Sequence, residues 1–201
     1  MANGGPVKRP QVSYTADMSS FDRPQEPNIA PSPWVMRWAH LIHAGGGVLD
    51  LAAGHGRHTR ALRALGHRIV AADLDVTGLT DLAGDPGIEV RAVDLEAGSW
   101  PFERTFDAIV VANYLHRPHA PHIVKALAPH GVLLFDTFGV GNEKLGRPRN
   151  PAFLLKPGEL LQAFSALKIV AYECGEESLP RPAIRQRLCA VNGAGPHRLE
   201  P

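Results

Sequence analysis

Between residues 31 and 193 short apolar runs bounded by Gly, Pro or Asp alternate with segments whose apolar positions recur every three to four residues. The first pattern predicts buried strands and the second predicts helices laid against them. An opening helix is predicted over 32–43, where Trp34, Val35, Trp38, Leu41 and Ile42 share one face, with the glycines at 45–47 ending it. A strand follows at 47–51, then a helix over 56–65 with Leu62 and Leu65 inward and Gly66 as its carboxyl cap. Further strands are predicted at 67–73, 88–94, 106–112 and 132–137. Helices are predicted around 76–82 and over 121–127, the latter stopped by Gly131. After a long polar loop at 139–157, Pro157 opens another helix with Leu160, Leu161 and Phe164 on one side. Strands at 167–173 and 184–191 finish the pattern. The link between them is too short for a helical crossover, so they are antiparallel neighbours. The alternation predicts an α/β fold: a doubly wound, mostly parallel, seven-stranded sheet with a terminal antiparallel strand pair.

The chain of 201 residues has the length of one ordinary domain, placed at 31–193. Residues 1–30 are rich in Gly and Pro and poor in apolar side chains, which reads as a flexible tail or a lid, and 194–201 read as a second tail. Lys and Arg total 21 against 20 Asp and Glu, a formal net charge of +1. That balance lacks the basic surplus with which a protein neutralises a phosphate backbone, so no nucleic-acid partner is expected. The two cysteines, Cys174 and Cys189, share no metal-site or disulfide-framework spacing and read as reduced thiols. With no apolar leader core and no membrane-length apolar stretch, the expectation is a cytoplasmic protein without a membrane partner.

The strongest chemical signal follows the first predicted strand, where Asp50, Leu51, Ala52, Ala53, Gly54, His55 and Gly56 lead directly into a helix. Small residues at such a turn let the backbone approach a ligand closely, and open α/β sheets bind ligands beyond the carboxyl ends of their strands. The turn alone could equally be steric. Asp73 ends the second strand, where a carboxylate can accept hydrogen bonds from both hydroxyls of an adenosyl ribose. An acid here could instead cap the next helix, a task better suited to Asp75. Asp94, with Leu95, ends the third strand, where it could accept from an adenine amino group.

At these residues the chain resembles the class I S-adenosylmethionine-dependent methyltransferases, over a span from Trp34 to the last strand. In that family an acid precedes three alternating glycines; Asp50, Gly54 and Gly56 match, and Ala52 replaces the first glycine. The resemblance implies a Rossmann-like methyltransferase fold whose last strand inserts between the fifth and sixth, with S-adenosylmethionine as cofactor. It places Asp50, Ala52 and the 54–56 turn near the methionine moiety, Asp73 and Leu74 at the ribose, Asp94 and Leu95 at the adenine, and Asn113 on the same pocket edge. Two alternatives stand beside it. A non-catalytic module could hold the cofactor without turnover. An NAD(P)-dependent dehydrogenase is the other, but Thr59 occupies its third glycine position and Asp50 would set a carboxylate beside its phosphates.

Methyl transfer from a sulfonium is an in-line displacement, which demands alignment more than a fixed catalytic signature. The acceptor is expected at the fourth and fifth strand ends. There His116 is the candidate general base, with a surface histidine as the alternative reading, and Tyr114 either stacks on substrate or packs. His116, His119 and His122 stand at three-residue intervals, but Pro118 and Pro121 keep one regular helix from presenting all three, so no metal site is expected. Asn142, Glu143 and Arg147, on the long loop, are candidate substrate contacts. The segments 113–118 and 141–151 are similar to bacterial stand-alone enzymes of the tellurite-resistance type, which implies a small-molecule acceptor.

Overall fold

In the computed structural model, which describes residues 30–200, seven strands pair into one sheet: β1 (Gly47–Leu51), β2 (Arg68–Asp73), β3 (Ile88–Ala92), β4 (Phe106–Ala112), β5 (Leu127–Phe138), β6 (Lys168–Glu177) and β7 (Ala183–Val191). Their order is β3-β2-β1-β4-β5-β7-β6. The strands from β3 to β5 run parallel, and β7 lies antiparallel between β5 and β6. This is the insertion implied by the resemblance. It differs from the 3-2-1-4-5-6 order of dinucleotide-binding sheets, which sets the dehydrogenase alternative aside. The expected amino-terminal tail or lid lies outside the described residues.

The sheet is covered on both faces, so β1 and β4 are apolar almost throughout rather than alternating. On one face α1 (Pro33–Trp38) and α2 (Arg57–Ala64) bring Trp34, Val35, Trp38 and Leu62 against Val48, Ile69, Val110 and Leu134. On the other, α3 (Ala120–Ala126) and α4 (Glu159–Ala163) bring Ile123, Leu160 and Phe164 against Leu49, Leu51, Ile109, Val111, Leu133 and Phe135. Successive residues of β1 thus serve opposite faces, as the pleat requires.

Several expected elements differ in detail. The opening helix is α-helical only through Trp38 and continues as a 3-10 turn over Ala39–Leu41. The segment expected as a helix at 76–82 is a 3-10 helix, Thr77–Leu82, which Asp75 begins by accepting from the Thr77 backbone N–H and hydroxyl. Gly131 does not stop a helix. It lies inside β5, where a Cβ would come within 2.9 Å of the Phe106 carbonyl and 2.8 Å of that of Ala128, so glycine serves a close backbone approach. Leu65 and Leu161 lie outside the core rather than facing it: Leu65 caps α2, and Leu161 follows the buried Leu160 about 100° further round α4. The other boundaries shift by a few residues, β5 gaining most, from the expected 132–137 to Leu127–Phe138.

Gly56, just ahead of α2, has φ +72°, and a Cβ built on it would fall 2.5 Å from Leu79 Cδ2. Gly56→Ala is expected to cost about 2–4 kcal/mol, combining left-handed strain with overpacking. Urea unfolding measures this; a loss below about 1 kcal/mol would show that the 3-10 segment gives way.

Candidate functional site

Ala52, Gly54 and Gly56 all adopt the left-handed conformation, at φ +59°, +55° and +72°. Alanine at the first position therefore keeps the glycine backbone path, at a steric cost of about 1–2 kcal/mol. What locks the turn is Asp50. Its Oδ2 accepts from the Thr59 backbone N–H at 2.9 Å and the Thr59 hydroxyl at 2.6 Å, so a strand carboxylate caps α2 across the loop. Asp50 is only 1% exposed.

Burial pushes the Asp50 carboxyl up to about 6, against the lowering effect of the two Thr59 bonds. Its pKa is thus higher folded than unfolded. As pH rises from about 4 to 6 the unfolded chain sheds this proton first, and the stability linked to it is lost across that window. Asp50→Asn does not titrate and keeps an acceptor for Thr59. Its stability relative to the parent should therefore climb by about 2–3 kcal/mol between pH 4 and 7, as followed by urea unfolding at each pH. A flat difference would contradict the buried charge.

At the tip of β2, Asp73 Oδ2 accepts from the Gly54 N–H at 2.7 Å and Oδ1 from the Asp75 N–H at 3.1 Å. Above Gly54 the space is open: a Cβ added there meets nothing within 4 Å. Leu74, next to Asp73, is 60% exposed. Beyond β3, Asp94 Oδ1 accepts from the N–H groups of Glu96 and Ala97, which fixes the loop, while Leu95 is buried beside it. Tyr114, two residues past β4, has a buried hydroxyl without a hydrogen-bond partner. Burial first, then the negative field of Glu96, Asp94 and Asp73, raises its pKa, so the phenol stays protonated as a donor.

The tips of β4 and β5 carry a buried polar network. Asp136 Oδ1 accepts from Arg185 Nε and Nη2, at 3.0 and 2.6 Å, and from Arg187 Nε at 3.1 Å. Its Oδ2 accepts from the Ser32 hydroxyl at 2.5 Å. Arg185 Nη1 also donates to Asn113 Oδ1 at 2.8 Å, and its guanidinium lies 4.3 Å from the Phe138 ring centroid. Asn113 takes the left-handed conformation, φ +56°, and donates its N–H to the Asp136 carbonyl. The Ser32 N–H donates to His58 Nε2 at 3.0 Å, which requires a neutral imidazole; burial, aided by Arg57, lowers His58 to about 4. The chain thus enters the fold at the sheet tips.

Sequence reasoning missed Ser32, His58, Arg185 and Arg187 as members of this network. A signal existed for the arginines, which stand two apart, and so on one face, in an otherwise largely apolar central strand. Nothing in the pattern marked Ser32 or His58.

The acceptor-side candidates divide. His116 and His119 bring their rings to 4.4 Å and line one cavity with Tyr114. Asn142 is buried, accepting from the Ile184 N–H and donating to the Pro148 carbonyl, so it ties the long loop to β7. Glu143 accepts from the Gly141 N–H, and Arg147 is exposed on the same loop. His119 meets Trp100 edge to face and His122 stacks on it. Among the described residues no group of His, Cys, Asp or Glu is arranged to hold a metal ion, and no helix is long and apolar enough to cross a membrane.

Residues 48–131 match the family model described as a methyltransferase domain. With the strand order and the acidic tips of β2 and β3, this match gives the chain the fold of the class I S-adenosylmethionine-dependent methyltransferases. It is 30% identical over 146 residues to a demethylmenaquinone methyltransferase of Clavibacter sepedonicus, covering 68% of this chain and 59% of that relative. Among solved structures, TehB of Haemophilus influenzae superposes with a TM-score of 0.65 at 18% identity, over 78% of this chain and 60% of that one. The N-methyltransferase NodS of Bradyrhizobium japonicum, in complex with S-adenosylhomocysteine, gives 0.59 at 22% identity over 78% and 83%. The chain therefore spans under two thirds of the lengths of the Clavibacter relative and TehB.

The cofactor of this class is S-adenosylmethionine, and the residues present fit it. The open space over Gly54, the Asp73 carboxylate and the exposed Leu74 face leave a nucleoside both room and a polar partner at the tips of β1 and β2.

Proposed function

We propose that the chain transfers a methyl group from S-adenosylmethionine to a small nucleophilic acceptor by in-line displacement. The observation that carries this reading is the open glycine turn beside the Asp73 carboxylate. In this reading Asp73, with Leu74, holds the ribose, and Asp94 with Leu95 holds the adenine. Asp50, Ala52 and the 54–56 turn shape the methionine end, with Asn113 on the same edge. Arg57, half-buried at the start of α2, makes no ion pair among the described residues, its Nη1 donating only to the Ala30 carbonyl at 3.4 Å. It is suited to the methionine carboxylate.

When bound, S-adenosylmethionine supplies a methyl carbon made electrophilic by positive sulfur, which keeps the bonding pair as a neutral thioether. The chain's own task is to align the acceptor and exclude water. Arg185 and Asp136 hold Asn113 and the β4 tip in place. His116, at the cavity mouth, takes the proton of a nucleophile that must lose one and passes it to solvent. Asn142, Glu143 and Arg147 shape the acceptor side of the long loop. The near-zero net charge supports a small acceptor over a nucleic acid, and two unpaired cysteines support a reducing, cytoplasmic setting. Incubation with S-adenosylmethionine and a panel of amine, thiol, hydroxyl and metalloid acceptors should release S-adenosylhomocysteine with at least one of them. Tight cofactor binding with no turnover on any would favour a non-catalytic module.

A further inference from the structure

Between β1, β4 and β5 and the helices α3 and α4 lies a half-enclosed cavity of about 130 Å³. Its walls are Leu51, Val111, Phe135, Leu155, Leu160 and Phe164, all core residues. Tyr114, His116 and His119 also line it, together with the Arg117–Glu159 ion pair, in which Nε meets Oε1 at 2.5 Å. Arg117 also donates to the Ala152 and Leu154 carbonyls at 2.6 and 2.8 Å, which clamps the long loop beside the cavity. An apolar hole of roughly this size stays dry and accepts a benzene-sized guest.

Two side chains of this lining carry a buried polar atom without a partner. One is the Tyr114 hydroxyl; the other is His119 Nε2, also buried. His119 bonds the Leu95 backbone through its other nitrogen, and burial lowers its pKa to about 4, so the ring is neutral and Nε2 is an acceptor. A donor and an acceptor, both without partners, thus belong to side chains that line an apolar cavity. Buried polar atoms are rarely left so.

We propose that this cavity seats the body of the acceptor, and that the acceptor is a small molecule built on a flat, uncharged ring about the size of benzene, bearing one hydroxyl or amine. The ring fills the apolar volume. Its substituent donates to His119 Nε2 and accepts from Tyr114. This rests on the methyltransferase reading and narrows it, because a metalloid oxyanion or a zwitterionic amino acid would bury charge against aliphatic walls.

The test uses the full chain, free and saturated with S-adenosylhomocysteine, titrated with phenol, toluene, sodium selenite and glycine and followed by amide chemical shifts. Phenol is expected to bind saturably, with shifts at Tyr114, His119 and Leu160, and more tightly than toluene. Selenite and glycine should not compete with it. Ala120 also lines the cavity, and Ala120→Leu should weaken phenol by about tenfold or more by filling the space, leaving S-adenosylhomocysteine affinity within about twofold. If that variant does not fold, Tyr114→Phe decides: it should reduce the preference for phenol over toluene several-fold by removing one of two hydrogen bonds. The proposal is overturned if phenol does not saturate, if neither substitution alters its binding, or if selenite or glycine displaces it. Failure of S-adenosylhomocysteine to bind would instead strike the methyltransferase reading, and phenol binding to the free chain would still decide the cavity.

Discussion

Asp136→Ala is expected to cost about 3–5 kcal/mol of folding stability, a large share of the 5–15 kcal/mol typical of a whole domain. The residue is 2% exposed and accepts from Ser32, Arg185 and Arg187. Burial alone would raise its pKa, but Arg185, the Ser32 hydroxyl and Arg187 outweigh burial and hold it below the ordinary carboxylate range. Removing the carboxylate leaves Arg185, only 8% exposed, without its main counter-charge, and releases Ser32 from the sheet. The pH dependence has a definite sign. A lowered folded pKa contributes stability at neutral pH that is lost as pH falls below the ordinary carboxylate pKa, so the parent should lose more stability on acidification than the variant. Urea unfolding at pH 7 and pH 3 checks both. A neutral-pH loss under about 1 kcal/mol would mean that the network is solvated.

Asp73→Ala is expected to weaken S-adenosylmethionine by about 1–3 kcal/mol, roughly 5- to 150-fold in Kd, if the carboxylate makes charge-assisted bonds to the ribose. The same oxygens now hold the Gly54 and Asp75 N–H groups, so some loss of stability accompanies the substitution. Asp73→Asn separates the two effects. It retains one acceptor oxygen for the turn but loses the charge, and should fold like the parent while still binding cofactor several-fold more weakly. Calorimetric titration measures each. Equal affinities in all three proteins would remove Asp73 from the site.

The periodicity of the sequence carried most of the sheet. β1 and β4 fall at their expected bounds, because runs buried on both faces are continuous and end sharply at turn residues. The helices were less legible. They are five to eight residues long, too short for a 3.6-residue period to distinguish an α-helix from a 3-10 turn, as at Thr77–Leu82. The Gly131 misreading has the same root, since a glycine needed for backbone approach is written like one that ends a helix.

In the site, the turn and the acids of β2 and β3 were legible because they lie at strand ends, where the topology alone brings them together. That Asp50 binds Thr59 was not, because the contact joins two elements across a loop. Nor was the Ser32–Asp136 bond, made between residues 104 positions apart. Tertiary hydrogen bonds leave no period to read. The pairing of Arg185 with Asp136 belongs to the same class, although two arginines in an apolar strand marked its presence.

The central claim is that the tips of β1, β2 and β3 form a cradle for an adenosyl sulfonium. A crystal structure grown with S-adenosylhomocysteine tests it most directly. The expected result is a ribose whose hydroxyls meet the Asp73 carboxylate, with the homocysteine chain running over Gly54. A nucleoside bound elsewhere, or a cleft over Gly54 that stays closed at saturating ligand, would contradict it.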